Sequence, residues 1–378
     1  MKKAARWMAA LLPVLVALTA LPQAQAVNSS QEDVKKIAVA GTAAAAAEKM
    51  KTKAKPPAVP KTPQVEIPGA APDKPAANKK AAKKAARAKA DAAQQAADEA
   101  FGQVEAMAEA GDIQAQYILG LAYYTGRQVE TDDKAAVEWW RRASLGGHPE
   151  AGAYVALAYA EGFGGRPKNP AEAERRYRQA EQAGSALARV LLGIDGYKTN
   201  KPAEKAAAVK RFEKAAQQGN PQAKDFLQKI EQKGTDARMD FGENLDWKKA
   251  AAKTPLTELY TQAGTNAFWG RLVAQDYACA VRWWQLAAGQ DYGAAQALLG
   301  TAYYTGRGVE QDEKTAVALF KTAASQNEPL AQYMLGKAYL AGTVVQKNKE
   351  LALKLFRAAG AAGIADAQQQ ADRLEKEG

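Results

Sequence analysis

The apolar positions of this chain fall into one pattern that returns every 36 residues. Residues 115–147 read AQYILGLAYYTGRQVETDDKAAVEWWRRASLGG, and residues 295–327 read AQALLGTAYYTGRGVEQDEKTAVALFKTAASQN. Their first alanines, Ala115 and Ala295, are 180 positions apart, five steps of 36. Steps of 36 from Ala115 reach Ala151, Leu187 (Ala188 beside it), Ala223, Leu259, Ala295, Ala331 and Ala367. One later slot holds Trp139, Arg175 or Arg176, Arg211, Trp247, Trp283, Leu319 and Leu355. The next slot holds Trp140, Tyr177, Phe212, Lys248, Trp284, Phe320 and Phe356, so only Lys248 breaks an aromatic series. A fixed period of this size marks stacked supersecondary units.

Each unit reads as two helices. The first carries Ala-x3-Leu-Gly-x2-Tyr, as in Ala115, Leu119, Gly120 and Tyr123, at helical spacing. A glycine inside a helix costs about 1 kcal/mol against alanine. Its return at Gly120, Gly300 and Gly336 predicts that another helix backbone passes close by. Gly126, Gly162, Gly270, Gly306 and Gly342 then suit left-handed C-terminal caps. The loops GRQVETD (126–132), GRLVAQD (270–276) and GRGVEQD (306–312) each end in an Asp placed to cap the second helix. That helix closes at Gly147, Gly184, Gly219 or Gly363. Two units depart from the pattern. The unit from Ala223 has Lys248 in the aromatic slot and DARMDFGEN (236–244) where the loop should be, and the unit at 187–222 has the short loop GYKTNKPA (196–203). Irregular geometry is expected between about residues 195 and 255.

The pattern resembles the Sel-one-like repeat family, relatives of the tetratricopeptide repeat, over residues 113–364. The resemblance implies an all-α, right-handed superhelical solenoid of about seven helix-turn-helix units, with terminal capping helices completing 101–378. It also implies protein binding by a preformed surface without turnover, with first helices lining the concave side. The first-helix positions between core slots are then the partner-binding candidates: Tyr117, Tyr124, Tyr304, Tyr333 and Lys337. Tyrosine suits an interface because it joins a rigid apolar body to a polar tip. The same tyrosines could equally fill gaps between neighbouring units. Trp139 and Trp283 are further candidates. Their slot also accepts Arg211, which predicts partial exposure, although packing between second helices is the competing reading. Arg127, Arg271 and Arg307 recur in the loops, either as a ridge of positive charge or as loop-capping groups.

Charge changes the picture at the N-terminus. Lys2, Lys3 and Arg6 precede a short apolar run, Met8–Leu21, and Ala24-Gln25-Ala26 offers a small-residue cleavage site. Residues 1–26 therefore read as a signal peptide, and export to the periplasm is expected, with full secretion as the alternative. No transmembrane span is expected after cleavage. Residues 27–100 read as an Ala/Lys/Pro-rich spacer, extended at 53–75 and partly helical at 78–100. The net charge of +11 is concentrated there: the leader carries +3, the spacer +6 and the remainder only +2. The spacer's excess could attract anionic lipid or wall polymer weakly. Nucleic acid is not expected as a partner of an exported chain.

Most catalytic inventories are excluded. Cys279 is the only cysteine and reads as a small core residue. Some exported relatives of the repeat family carry cysteine pairs and are linked to β-lactam chemistry; this chain lacks those pairs. His148, before Pro149, is the only histidine and reads as a solvated or capping residue, which rules out His-based triads and multi-histidine metal sites. Asp132-Asp133 and Asp312-Glu313 sit where the helix dipole favours acids. GGR (164–166) lacks the Lys-Ser/Thr of a phosphate loop. No cofactor or metal is expected. The expected function is an exported, non-enzymatic envelope adaptor that binds partner proteins. Alternatives are a scaffold for polysaccharide or cell-wall machinery, a secreted host-interaction factor and, least supported, a wall-acting hydrolase.

Overall fold

The computed structural model describes residues 79–199, 201–234 and 246–377. The signal peptide and most of the spacer lie outside the described residues. Among the described residues the fold is all-α, with sixteen helices and no strand, as expected. The helices are α1 (Lys79–Glu109), α2 (Ile113–Thr125), α3 (Asp133–Leu145), α4 (Pro149–Glu161), α5 (Pro170–Gln182), α6 (Ala186–Lys198), α7 (Pro202–Gln217), α8 (Pro221–Lys233), α9 (Trp247–Ala251), α10 (Leu256–Trp269), α11 (Tyr277–Ala288), α12 (Gly293–Thr305), α13 (Glu313–Ser325), α14 (Pro329–Ala341), α15 (Lys349–Ala361) and α16 (Ala365–Lys376). The chain forms two compact units. One holds residues 101–253, and the other holds 254–377 together with 79–100.

Within each unit the helices come in antiparallel pairs that stack on the next pair. First helices such as α2 and α12 are apolar on nearly every side, and second helices such as α3 and α15 bury one stripe. The difference follows from position: a first helix meets its own partner and both neighbouring pairs, so it has little wet surface.

The register alanines Ala115, Ala151, Ala188, Ala223, Ala295, Ala331 and Ala367 are all fully buried. The slot takes a leucine as well, since Leu259 is buried where that unit has no alanine. The aromatic slot is equally dry: Trp140, Phe212 and Phe356 are 0% exposed. The recurring glycine answers that slot. A Cβ on Gly120 would lie 2.4 Å from the Trp140 ring, one on Gly193 2.5 Å from Phe212, and one on Gly300 2.7 Å from Phe320. Gly264 and Gly336 face Trp284 and Phe356 in the same way. The expectation of a neighbouring helix backbone is thus corrected. The glycine is chiefly a socket for the aromatic ring of its own pair, although at Gly264 the carbonyl of Ala280 is also only 2.9 Å away.

The caps follow the sequence. Gly126, Gly162, Gly270, Gly306 and Gly342 all adopt left-handed conformations after first helices. Each loop is then tied back by one repeated bond: the amides of Asp132, Asp276 and Asp312 donate to the carbonyls of Tyr123, Ala267 and Tyr303 at 2.9–3.0 Å. The same three aspartates accept from first-turn amides of the following helix. Asp312→Ala should lower stability by about 1 kcal/mol, the usual worth of such a cap. A thermal melt with an unchanged midpoint would contradict this.

The irregular region lies where the sequence places it. After Tyr197 the chain skips the glycine cap, and Thr199 is extended. The pair begun by α8 has only the five-residue α9 as its second helix. Cys279 is half-buried rather than fully buried, because it lies in the first turn of α11, at the margin of its cluster. His148 is buried, not solvated: it is 3% exposed and its Nδ1 accepts the Ala151 amide at 3.2 Å. Among the described residues no helix is long and apolar enough to cross a membrane, and no group of three or more His, Cys, Asp or Glu could hold a metal.

Candidate partner-binding surface

In the unit of residues 101–253, aromatic rings run from one first helix to the next. Tyr117 stacks on His148 with centroids 4.2 Å apart, and Tyr154 stacks on Trp140 at 4.4 Å. Tyr124 meets Trp140 edge-on at 5.2 Å and stacks on Phe163 at 5.4 Å. Burial pushes the Tyr117, Tyr124 and Tyr154 hydroxyls well above the ordinary tyrosine range, so all three stay neutral. Tyr117 and Tyr124 are therefore fillers between helix pairs. As a partner contact Tyr124 is corrected, because it is buried; Tyr117 stacks on His148 but stays half-buried.

A polar tie runs beside this ladder. Glu150, at the start of α4, accepts from the Ser185 hydroxyl and from the Ala186 amide at 2.9 Å, one repeat further along. Burial raises its pKa; those donors and Arg189 pull the other way. The carboxylate thus caps the first turn of α6 and fixes the pitch between neighbouring pairs.

The Tyr124 end of the ladder is covered by the chain itself. Helix α9 packs on α2. Lys248 Nζ lies 3.0 Å from Asp133 Oδ1 and 5.0 Å from the Tyr124 ring centroid, a salt bridge across 115 residues of chain and a cation–π contact across more. Trp247 is buried. Asp246 caps α9 through the Lys249 amide at 2.8 Å. The Glu161 carboxyl is pushed up by burial and then by Asp246, with Lys168 opposing. Asp133 also borders an open cleft between the 129–132 loop and the Gly164–Gly165 turn.

The unit of residues 254–377 treats its candidates differently. Trp283 is 0% exposed, 5.9 Å from the Tyr260 ring, and is corrected to a core residue. Its slot is dry here because α11 is apolar on both sides. Tyr333 is also corrected to core: it packs against Phe356, and burial pushes its hydroxyl up to about 12. Lys337 is half-buried, with Nζ 5.2 Å from the Tyr333 centroid. Burial brings its ammonium down to about 8, against the pull of Asp366. Tyr304 is half-buried and keeps an open edge. In the other unit, Trp139 is half-buried under the Arg142 guanidinium at 4.6 Å. Of the seven candidates, Tyr117, Tyr304, Lys337 and Trp139 retain surface. The arginine ridge is not uniform, since Arg307 lies over the Phe268 and Tyr277 rings of the preceding pair.

Sequence reasoning did not assemble Asp133, Glu161, Trp247 and Lys248. The available signal was the break in the aromatic series at Lys248, a cation where six other units place a ring.

The Sel1 repeat profile matches residues 113–148, 150–185, 200–220, 262–292, 293–328 and 329–364. It thus finds six repeats, and the pair of α8 and α9 falls outside them. None of the curated proteins compared with the chain matches it. Among solved structures, the chain is similar to a Sel1 repeat protein from Oxalobacter formigenes, with 30% identity over 73% of this chain and 80% of that one, TM-score 0.30. It is also similar to a protective antigen of uropathogenic Escherichia coli strains displaying an SLR fold, with 28% identity over 74% of this chain, TM-score 0.31. The chain spans 60% of the length of that antigen. Sel1 repeats in general mediate protein–protein contact. With half of its residues matched repeat by repeat, the chain belongs to the Sel1 repeat family.

Proposed function

We propose that this protein is an exported, non-enzymatic adaptor of the bacterial envelope that holds partner proteins on its helical repeats. The observation that carries this reading is the occupied Tyr124–Asp133 face of residues 101–253. There, stacked helix pairs already hold a peptide segment, Asp246–Ala251, by a buried tryptophan and a paired lysine. A rigid surface of this kind binds without ordering cost on its own side. The leader at residues 1–26 supports export, and the basic spacer between leader and repeats supports reach from an anchor point.

Photo-crosslinking in cells tests this reading. A photoreactive side chain is placed at Tyr304 or Trp139, followed by fractionation. The expected result is a protein adduct in the periplasmic fraction. Recovery of the protein only from cytoplasm or culture medium, or an absence of adducts at both sites, overturns the proposal.

A further inference from the structure

Tyr124 and Tyr304 occupy the same repeat position, 180 residues apart. They differ in what covers them. Tyr304 keeps an open edge, whereas Tyr124 is 5% exposed and has the Lys248 ammonium over its ring. Asp133 and Glu313 are likewise equivalent, each the first residue of a second helix. Asp133 is engaged by Lys248, at 3.0 Å. The difference between the two sites is helix α9. It is a remnant second helix that leaves its own pair and packs on α2.

The seat is imperfect. Asp246 sits near enough to Glu161 to help raise its pKa, so the segment brings a like charge against an exposed acid. The Lys248–Asp133 pair is also more than a third exposed on both sides, which screens it. A segment that offers the same tryptophan and lysine without the acid would seat better.

We propose that the face formed by Tyr124, Asp133 and Glu161 is a docking groove for a partner protein segment carrying an aromatic residue followed by lysine, and that residues 246–251 occupy it until the partner displaces them. The aromatic residue replaces Trp247, and its lysine lies between the Asp133 carboxylate and the Tyr124 face. The face offers the Asp133 carboxylate to Lys248, which sets the sign of the partner's charge. This proposal rests on the adaptor reading and names the chemistry of its partner.

The test uses the full chain and a fluorescent peptide of residues 244–253, followed by anisotropy. Lys248→Glu breaks self-occupancy through a half-exposed side chain and spares the core. It is expected to bind the peptide at least tenfold more tightly than the native chain does. Lys248→Gln should give the same direction, which covers a charge reversal that disturbs folding. Adding Asp133→Asn to either variant should weaken the peptide again. A peptide with Asp246→Asn should bind more tightly than the parent, because asparagine keeps the cap and removes the charge. Equal peptide binding by native and Lys248 variants, or binding indifferent to Asp133→Asn, overturns the proposal. A native dimer that Lys248→Glu converts to monomer would assign the groove to a second copy and also overturn it. Peptide binding in solution needs no cellular partner, so its failure removes the groove and leaves the adaptor reading standing. That reading falls separately if no crosslinked partner is recovered.

Discussion

Trp140→Ala is expected to lower the stability of the unit by about 3–5 kcal/mol, the usual cost of emptying a large buried aromatic site. Trp140 is fully buried, touches the Tyr124 and Tyr154 rings, and rests on the bare backbone at Gly120. Trp140→Phe should cost about 1 kcal/mol or less. Phenylalanine already fills the equivalent slot over Gly193, Gly300 and Gly336. The indole N–H of Trp140 has no hydrogen-bond partner among the described residues, so the change removes an unsatisfied buried donor. The socket itself is tested from the other side. Gly120→Ala gains about 1 kcal/mol of helix propensity. The added methyl would stand 2.4 Å from the ring, and overpacking of this kind costs about 1–3 kcal/mol. The net effect should be destabilising, and Gly120→Ala combined with Trp140→Leu should be less harmful than the two changes summed. Additive effects in denaturant melts would remove the socket as the reason for the glycine.

Acid should loosen the first two repeats through His148. Burial alone brings its pKa from about 6.5 down to about 3. The Nδ1 atom accepts the Ala151 amide, so the neutral ring carries its proton on Nε2 and protonation would remove the cap. A base whose folded pKa is depressed contributes stability that is complete above its unfolded pKa and is lost as pH falls through the window from 6.5 to 3. Between pH 6.5 and 4.5 the loss amounts to about 2 kcal/mol, from 1.36 kcal/mol per pKa unit. Glu150 acts in the opposite sense. Its pKa is raised, so its contribution is full in acid and fades as pH rises through 4.5 toward its folded value. His148→Asn keeps a capping side chain and removes the titration. Its melting temperature should fall less than the native one between pH 7 and 4.5. Parallel curves for the two proteins would sink the assignment.

Much of the fold was legible because the repeat checks itself. A position that is alanine at six of eight steps, or aromatic in six of seven units, reports its burial without a structure. Caps were legible too, since glycine and aspartate at fixed offsets have local physical causes. The site was less legible. Trp283 and Tyr333 look like surface anchors on a helical wheel, and both are core. A wheel shows which residues share a face, and it cannot show how many neighbours that face meets. The recurring glycine was read correctly as a close approach, but the approaching group was an aromatic ring.

The sequence by itself determined the unit, the register, the capped ends and the place where the pattern fails, because each depends on interactions within about 36 residues. Tertiary structure alone decided where α9 goes. The contact of Lys248 with Asp133 spans 115 residues, and that with Tyr124 reaches further still. No periodicity encodes it: it arises because a truncated helix lies on α2, where Trp247 is buried and Lys248 meets the Asp133 carboxylate of α3 and the Tyr124 ring.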